Sequence, residues 1–132
     1  MSTQSKERKV LVVTGASQGL GEGFVKAYRE RGWHVVGNAR SIKPSDDPDY
    51  ITVTGDVGQP TVARKVVETA LDRFGRVDTL INNAGIWRPA PIEKISEELY
   101  RRVMATNVDS VFFVTQVAVP ERGRESVIDA RY

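Results

Sequence analysis

Three glycines stand where an apolar run ends and a helical pattern begins. Gly15, Gly19 and Gly21 follow the apolar run at 10–13 in the stretch VLVVTGASQGLGEGF. A strand that turns tightly into a helix presents unpaired backbone N–H groups and the positive end of the helix dipole, and glycine lets a phosphate group approach that backbone. The spacing is Gly-x-x-x-Gly-x-Gly, without the Lys-Ser or Lys-Thr ending of a nucleoside triphosphatase loop. The loop predicts either a phosphate-binding turn or a turn that serves only close packing of strand and helix.

Further polar residues stand near the ends of other apolar segments. Asp56 and Asn83 each follow a short apolar run, and Asn107 lies between Val103 and Val111 on the apolar side of a helical pattern. An unpaired buried amide costs about 1–3 kcal/mol, so we expect Asn107 to have a partner. Asp and Asn are also common turn residues at strand ends, because their side chains bond the nearby backbone. The pattern leaves a binding role and a turn role open for Asp56 and Asn83.

Short runs rich in β-branched residues alternate with helical patterns, which indicates a parallel sheet built from βαβ units. Four runs predict strands at 10–14, 34–37, 51–54 and 79–81. A first helix is predicted before Gly32, and a second is predicted to begin at Pro60 and to end at Gly75. The link at 39–49 contains two prolines and three aspartates and therefore predicts a loop.

The last third of the chain predicts one long helix. Ser96 is the predicted N-cap, because two acidic residues follow it at the positive end of the helix dipole. We expect this helix to stop near Pro120. The short apolar segment at 126–128 predicts either a fifth strand or part of a tail.

The composition excludes several classes of function. The 132 residues predict a single domain, and the chain has no cysteine and one histidine, His34, so disulfides and cysteine nucleophiles are excluded and no metal site is expected. The net charge of +2 is small and the Lys and Arg residues are scattered, which argues against a nucleic-acid partner. Thr115 and Gln116 interrupt the longest apolar stretch, at 111–119, which argues against a membrane span. We expect a cytoplasmic protein with a flexible tail at residues 1–8.

Four motifs together resemble the cofactor fingerprint of the short-chain dehydrogenase/reductase family. They are TGASQGLG at 14–21, GDV at 55–57, NNAG at 82–85 and ATNVDSVF at 105–112. The resemblance covers about residues 9–115 and corresponds to the N-terminal half of a family member. It implies a Rossmann-like α/β fold with a doubly wound parallel sheet, incomplete with four or five strands, in a single dinucleotide-binding domain at 1–132 that is truncated at its C-terminus. It also implies an oxidoreductase that acts on a small carbonyl or alcohol substrate, with a homo-oligomer as a possible assembly.

The resemblance also assigns roles to particular residues. The loop glycines would line the pyrophosphate of the cofactor, Asp56 and Val57 would touch the adenine, and Asn83 would lie along the ribose. Asn107 is the implied catalytic residue, which in the family holds a water near the active-site lysine; a buried asparagine that only braces a loop is the other interpretation. The implied cofactor-binding residues are Gly15, Ser17, Gln18, Gly19, Leu20, Gly21, Arg40, Asp56, Val57, Asn83 and Gly85.

The end of the second predicted strand carries the choice of cofactor. In dinucleotide folds, an acid about 20 residues beyond the glycines binds the ribose hydroxyl groups of NAD, whereas a nearby arginine accommodates the 2′-phosphate of NADP. Ala39 stands at the position of the acid, and Arg40 and Ser41 follow it. A guanidinium can bind a phosphate through two parallel hydrogen bonds, whereas a carboxylate would repel it. We therefore predict NADP in preference to NAD.

Part of the family's chemistry has no counterpart in this sequence. Family members use a tyrosine as general acid and base, a lysine four residues later, and a serine that orients the substrate. We therefore expect these 132 residues to be inactive by themselves, to be truncated, and to expose an apolar sheet edge near Leu80 or near Val127 that lowers stability or promotes self-association. A non-catalytic nucleotide-binding module or pseudoenzyme, and a flavodoxin-like domain with another phosphate ligand, are the alternatives. No tyrosine of the chain has a lysine four residues later: Tyr28, Tyr50, Tyr100 and Tyr132.

Overall fold

The sheet is parallel and has five strands in the order β3-β2-β1-β4-β5. This is a doubly wound, Rossmann-like α/β fold, as predicted. The segment at 126–128, for which the sequence allowed either a strand or a tail, lies in the fifth strand. The computed structural model describes residues 8–130, and its strands are β1 (Val10–Thr14), β2 (His34–Ala39), β3 (Tyr50–Thr54), β4 (Val77–Asn82) and β5 (Arg122–Ala130).

Both faces of the central strands are covered. Side chains alternate between the two faces along a strand, so Val10 and Val12 of β1 point to one side and Leu11 and Val13 to the other. All four are fully buried and belong to two separate apolar clusters. A parallel sheet with both faces buried explains why β1 reads as a continuous apolar run.

Helices connect β1 to β2 and β3 to β4, and they carry the end signals that the sequence predicts. Helix α1 (Gly19–Glu30) packs on one face of the sheet, and α2 (Pro60–Phe74) packs on the other. Proline suits the first position of α2, where its missing N–H is not needed. Gly75 ends α2 with a φ of 79°, the left-handed conformation that favours glycine. The link between β2 and β3 contains no helix, as predicted.

The last helical region is one run with an irregular middle. Helix α3 (Glu97–Met104), a π-helical turn (Ala105–Asp109) and α4 (Ser110–Ala118) follow one another, and a short 3-10 turn leads into β5. Ser96 is the N-cap, and its Oγ accepts a hydrogen bond from the backbone N–H of Leu99 at 3.0 Å. The sequence pattern does not predict the π-helical turn.

The sequence argued against a membrane span, but one helical run meets the criterion of length and composition for a span. By length and composition alone, the helical run Glu97–Glu121 is long and apolar enough to cross a membrane. Val114 and Ala118 of this run are fully buried in the same apolar cluster as the inner face of α2. Only 28% of the most apolar window of this run is buried in the described structure.

The edges of the described sheet are β3 and β5. The sequence suggests an edge strand either near Leu80 or near Val127. The prediction near Leu80 is wrong, because β5 pairs with β4 and Leu80 is fully buried. The strand near Val127 forms the edge. Of the predicted tail at 1–8, only Arg8 belongs to the described residues, and Tyr132 also lies outside them.

Candidate functional site

A cavity of about 780 Å³ opens at the carboxyl ends of the central strands. Strands β2 and β4 lie on opposite sides of β1, so the loops after β1 and β4 diverge and leave a crevice between them. Segments that are distant in sequence converge on this crevice. The lining residues are Gly15, Ser17, Gln18, Gly19, Asn38, Ala39, Arg40, Ser41, Gly55, Asp56, Val57, Asn83, Ala84, Gly85, Ile86 and Thr106.

The structure brings most of the sequence-predicted site residues together at this cavity. Three do not line it: Leu20, Gly21 and Asn107. The side chain of Leu20 is 70% exposed, whereas Gly21 is buried. The predicted positions therefore divide into a group that faces the cavity and a group that either lies outside it or supports its walls.

The glycines of the first loop serve two different purposes. Gly15 and Gly19 have φ angles of 67° and 58°, which residues with a Cβ rarely adopt. A Cβ on Gly19 would have no atom within 4 Å, so the space at this position is open. A Cβ on Gly21 would instead lie 1.8 Å from the carbonyl oxygen of Gly15, so Gly21 allows α1 to pack directly against the turn.

Thr14, which the sequence analysis missed, joins the glycine loop to the loop after β4. Its Oγ1 accepts hydrogen bonds from the backbone N–H groups of Asn83 and Ala84, both at 3.0 Å. The side chain of Asn83 donates to the carbonyl oxygen of Gly15 at 3.1 Å. These contacts hold the two walls of the crevice together. The position of Thr14 as the last residue of an apolar strand was the available signal.

The turn after β3 has its own supports. Asp56 Oδ1 accepts a hydrogen bond from the N–H of Gly58 at 2.9 Å, which is the turn role that the sequence left open. Val57 lines the cavity but is only 3% exposed and packs in the core. The buried side chain of Asn38, also missed from sequence, donates to the carbonyl oxygens of Val53 and Gly55 at 3.0 and 3.1 Å.

Arg40 is the cation at the cavity. It directly follows β2, it is exposed, and it forms no ion pair with any residue in the described part of the chain. Ala39, at the position where an acid would select NAD, is nearly buried. No group of three metal-binding side chains occurs among residues 8–121. The described cavity therefore combines open backbone amides with an uncompensated guanidinium, which is the chemistry of an anion site.

Asn107 lies in the π-helical turn and braces the loop after β4. Its Oδ1 accepts a hydrogen bond from the N–H of Ile86 at 2.8 Å, and its Nδ2 donates to the carbonyl oxygen of the same residue at 2.9 Å. The expected partner of the amide is thus a backbone peptide group. π-helical turns are frequent at functional sites, and here the turn places Thr106 at the cavity while Asn107 holds Ile86.

The residues at the cavity fit the diphosphate of a dinucleotide. The positive-φ glycines leave backbone that is free of side chains, and α1 begins at this loop with its N-terminus. The donor set consists of backbone N–H groups and the hydroxyl and amide side chains of Ser17 and Gln18. Such donors bind anions without needing a metal ion.

Comparison with known proteins gives the same family as these motifs. The family model described as short chain dehydrogenase matches residues 9–128. An uncharacterized oxidoreductase of Methylorubrum extorquens is 42% identical over 127 residues, which cover 89% of this chain and 51% of that protein. A 3-oxoacyl-(acyl-carrier-protein) reductase of Vibrio cholerae is 35% identical over 119 residues, which cover 86% of this chain and 49% of that protein.

Solved structures show the same similarity. A short-chain dehydrogenase/reductase from Serratia marcescens superposes with a TM-score of 0.84 at 28% identity and covers 91% of this chain and 55% of that one. A 3-ketoacyl-(acyl-carrier-protein) reductase from Brucella melitensis, complexed with NADH, has a TM-score of 0.78 at 32% identity, with coverage of 88% and 51%. The present chain spans about half the length of the curated relatives that it matches.

Proposed function

Because the chain belongs to the short-chain dehydrogenase family, we propose that it forms the NADP(H)-binding part of an oxidoreductase that acts on a small carbonyl or alcohol substrate. The observation that carries this proposal is the cavity at the ends of β1, β2 and β4, in which an open glycine loop faces Arg40. When bound there, the cofactor supplies hydride transfer to or from the substrate carbon.

Each wall of the cavity has a part in this proposal. The backbone N–H groups from Ser17 to Gly19, at the N-terminus of α1, would hold the diphosphate. The turn at Asp56 and Val57 would border the adenine, and the segment from Asn83 to Gly85 would border a ribose of the cofactor. Asn107 acts indirectly, because its two bonds to Ile86 keep that last segment at the cavity.

The preference for NADP rests on charge. An exposed guanidinium without a carboxylate partner attracts a 2′-phosphate, and the small side chain of Ala39 does not repel it. The structural relative from Brucella melitensis is complexed with NADH, so the shared fold by itself does not select NADP. We propose that Arg40 decides the preference in this protein.

The 132 residues contain no tyrosine followed by lysine four positions later. We therefore propose that they bind the cofactor without turning over substrate by themselves. The same observation favours a second candidate function, a nucleotide-binding module without catalysis. Under either function these 132 residues should bind NADPH without consuming it. A reductase assay with a panel of carbonyl compounds therefore separates the two only in a protein that also supplies the tyrosine and the lysine.

Titration of the full chain with NADPH and NADH, followed by cofactor fluorescence, tests the cofactor proposal. A hydrogen bond to a charged group contributes about 1.5–3 kcal/mol, so loss of the Arg40 contact with the 2′-phosphate in Arg40→Asp should weaken NADPH binding by roughly 10- to 100-fold and should not weaken NADH binding. Arg64→Asp, a charge change at an exposed position of α2, is the matched control. If Arg40→Asp and Arg64→Asp keep the same preference for NADPH, the assignment of Arg40 is wrong.

The assembly and the location remain proposals as well. Tyr100, Met104, Val108 and Phe112 recur every four residues along the last helical run and are exposed. We propose that this apolar stripe is covered in a homo-oligomer, which sedimentation of the full chain over a range of concentrations would detect. The cytoplasmic location expected from the sequence stays a prediction that localisation of a tagged full chain can check.

A further inference from the structure

A second cavity, of about 680 Å³, lies beside the first. Ser17 and Ser41 line both cavities, so the two adjoin at the glycine loop and the segment after β2. Val25 and Tyr50 are apolar residues in the lining of the second cavity, and Lys43, on the loop after β2, also lines it. The second cavity therefore begins where the first one ends, on the side of Arg40.

Lys43 and Arg40 form a pair of cations at this junction. They are three residues apart on one exposed loop, Arg40 lines the first cavity, and Lys43 lines the second. Neither forms an ion pair with a carboxylate in the part of the chain that the structure describes. Between them lies Ser41, a hydroxyl donor that both cavities share.

One carboxylate is among the residues that line the second cavity. Glu22 of α1 lines the second cavity but lies farther than 4 Å from the ammonium group of Lys43, since the two form no ion pair. Burial raises the pKa of the half-buried Tyr50 hydroxyl, and the negative charge of Glu22 raises it further. The negative charge of Glu22 therefore acts on the Tyr50 hydroxyl in this cavity. Lys43 is the cation in the lining of the cavity that can offset this charge.

We propose that Lys43 is a second specificity-determining residue for the 2′-phosphate of NADP(H), and that Glu22 weakens the same subsite. This inference rests on the proposed binding of NADP(H). A phosphate monoester carries a charge near −2 at neutral pH, so a single guanidinium leaves about half of it uncompensated. An ammonium group on a flexible stem supplies the remaining positive charge without requiring a fixed geometry. The net charge of the subsite is then set by Arg40, Lys43 and Glu22 together.

Calorimetric titration with adenosine 2′,5′-bisphosphate and with 5′-AMP isolates this subsite, because the two probes differ only in the 2′-phosphate. For the full chain, Lys43→Ala should weaken binding of the bisphosphate by about three- to tenfold, the range of one partly exposed charge contact, and leave 5′-AMP binding unchanged. Glu22→Gln should strengthen binding of the bisphosphate by about two- to threefold. Both effects should shrink as salt concentration rises.

The control is Lys65→Ala, which removes an exposed lysine from α2, outside both cavities. Lys43→Arg keeps the charge and should retain most of the affinity. If Lys43→Ala behaves like Lys65→Ala while Arg40→Asp abolishes the preference for the 2′-phosphate, this inference is wrong and the proposed function stands. If the unchanged protein binds both probes equally, the proposed NADP(H) preference fails together with the inference.

Discussion

Replacing Asn107 by alanine should loosen the loop after β4 and destabilise the fold. The substitution removes two hydrogen bonds, at 2.8 and 2.9 Å, and leaves both the N–H and the carbonyl group of Ile86 without their partners. Each bond contributes about 0.5–1.5 kcal/mol to stability, so the expected loss in the free energy of unfolding is about 2 kcal/mol. With a urea dependence of about 2 kcal/mol per M, the unfolding midpoint should fall by about 1 M.

Urea unfolding followed by circular dichroism measures this midpoint. Asp109→Ala is the matched control, because Asp109 lies in the same π-helical turn but is exposed and its side chain has no hydrogen bond within the described residues. Asn107→Asp should be destabilised as well, since it keeps an acceptor for the Ile86 N–H but places a carboxylate against the Ile86 carbonyl oxygen. Equal midpoints for Asn107→Ala and Asp109→Ala would refute the bracing role of Asn107.

Two further predictions concern a glycine and an ion pair. Gly21→Ala should lower stability by about 3 kcal/mol, because its Cβ would collide with backbone. Gly23→Ala, with open space at that point, should raise stability by about 0.5–1 kcal/mol, and thermal unfolding would contradict this reasoning if both variants changed alike. Hydrogen bonding from the Arg29 guanidinium lowers the pKa of Asp47 in the folded protein below its ordinary value of 3.8. The Asp47 carboxylate therefore stabilises the fold fully above pH 3.8, and this stabilisation is lost as the pH falls through the lowered pKa of the folded state. Asp47→Asn should therefore be less stable than the unchanged protein at pH 7, and urea midpoints should show this difference narrowing toward pH 2.

The elements with strong local signals were predictable from sequence. The continuous apolar run of β1 reflects burial on both faces. Pro60 marks the start of α2 because its ring fixes φ, and Gly75 marks the end because glycine can adopt the left-handed conformation. Ser96 similarly marks the start of α3 through its own side chain. These signals depend only on a residue and its near neighbours, so they can be read without the tertiary structure.

The supports of the candidate site were much less predictable. Thr14 was missed because its partners, Asn83 and Ala84, are about seventy residues away in sequence. The loop glycines were predicted as one group, but only the structure separates Gly19, which faces open space, from Gly21, which meets the Gly15 carbonyl. A single sequence carries no information about such distances between segments.

The sequence by itself determined the class of fold and the family, because motifs and backbone preferences are properties of short segments. The residues that would contact a dinucleotide stay a prediction. The tertiary structure decided which of the predicted residues share the cavity, and that the side-chain amide of Asn107 binds the backbone of Ile86. It also placed Lys43 and Glu22 at a second cavity, next to the one that Arg40 lines. The physical reason is that these arrangements follow from the order of the strands. That order places β1 between β2 and β4, and so brings together loops that lie far apart along the chain.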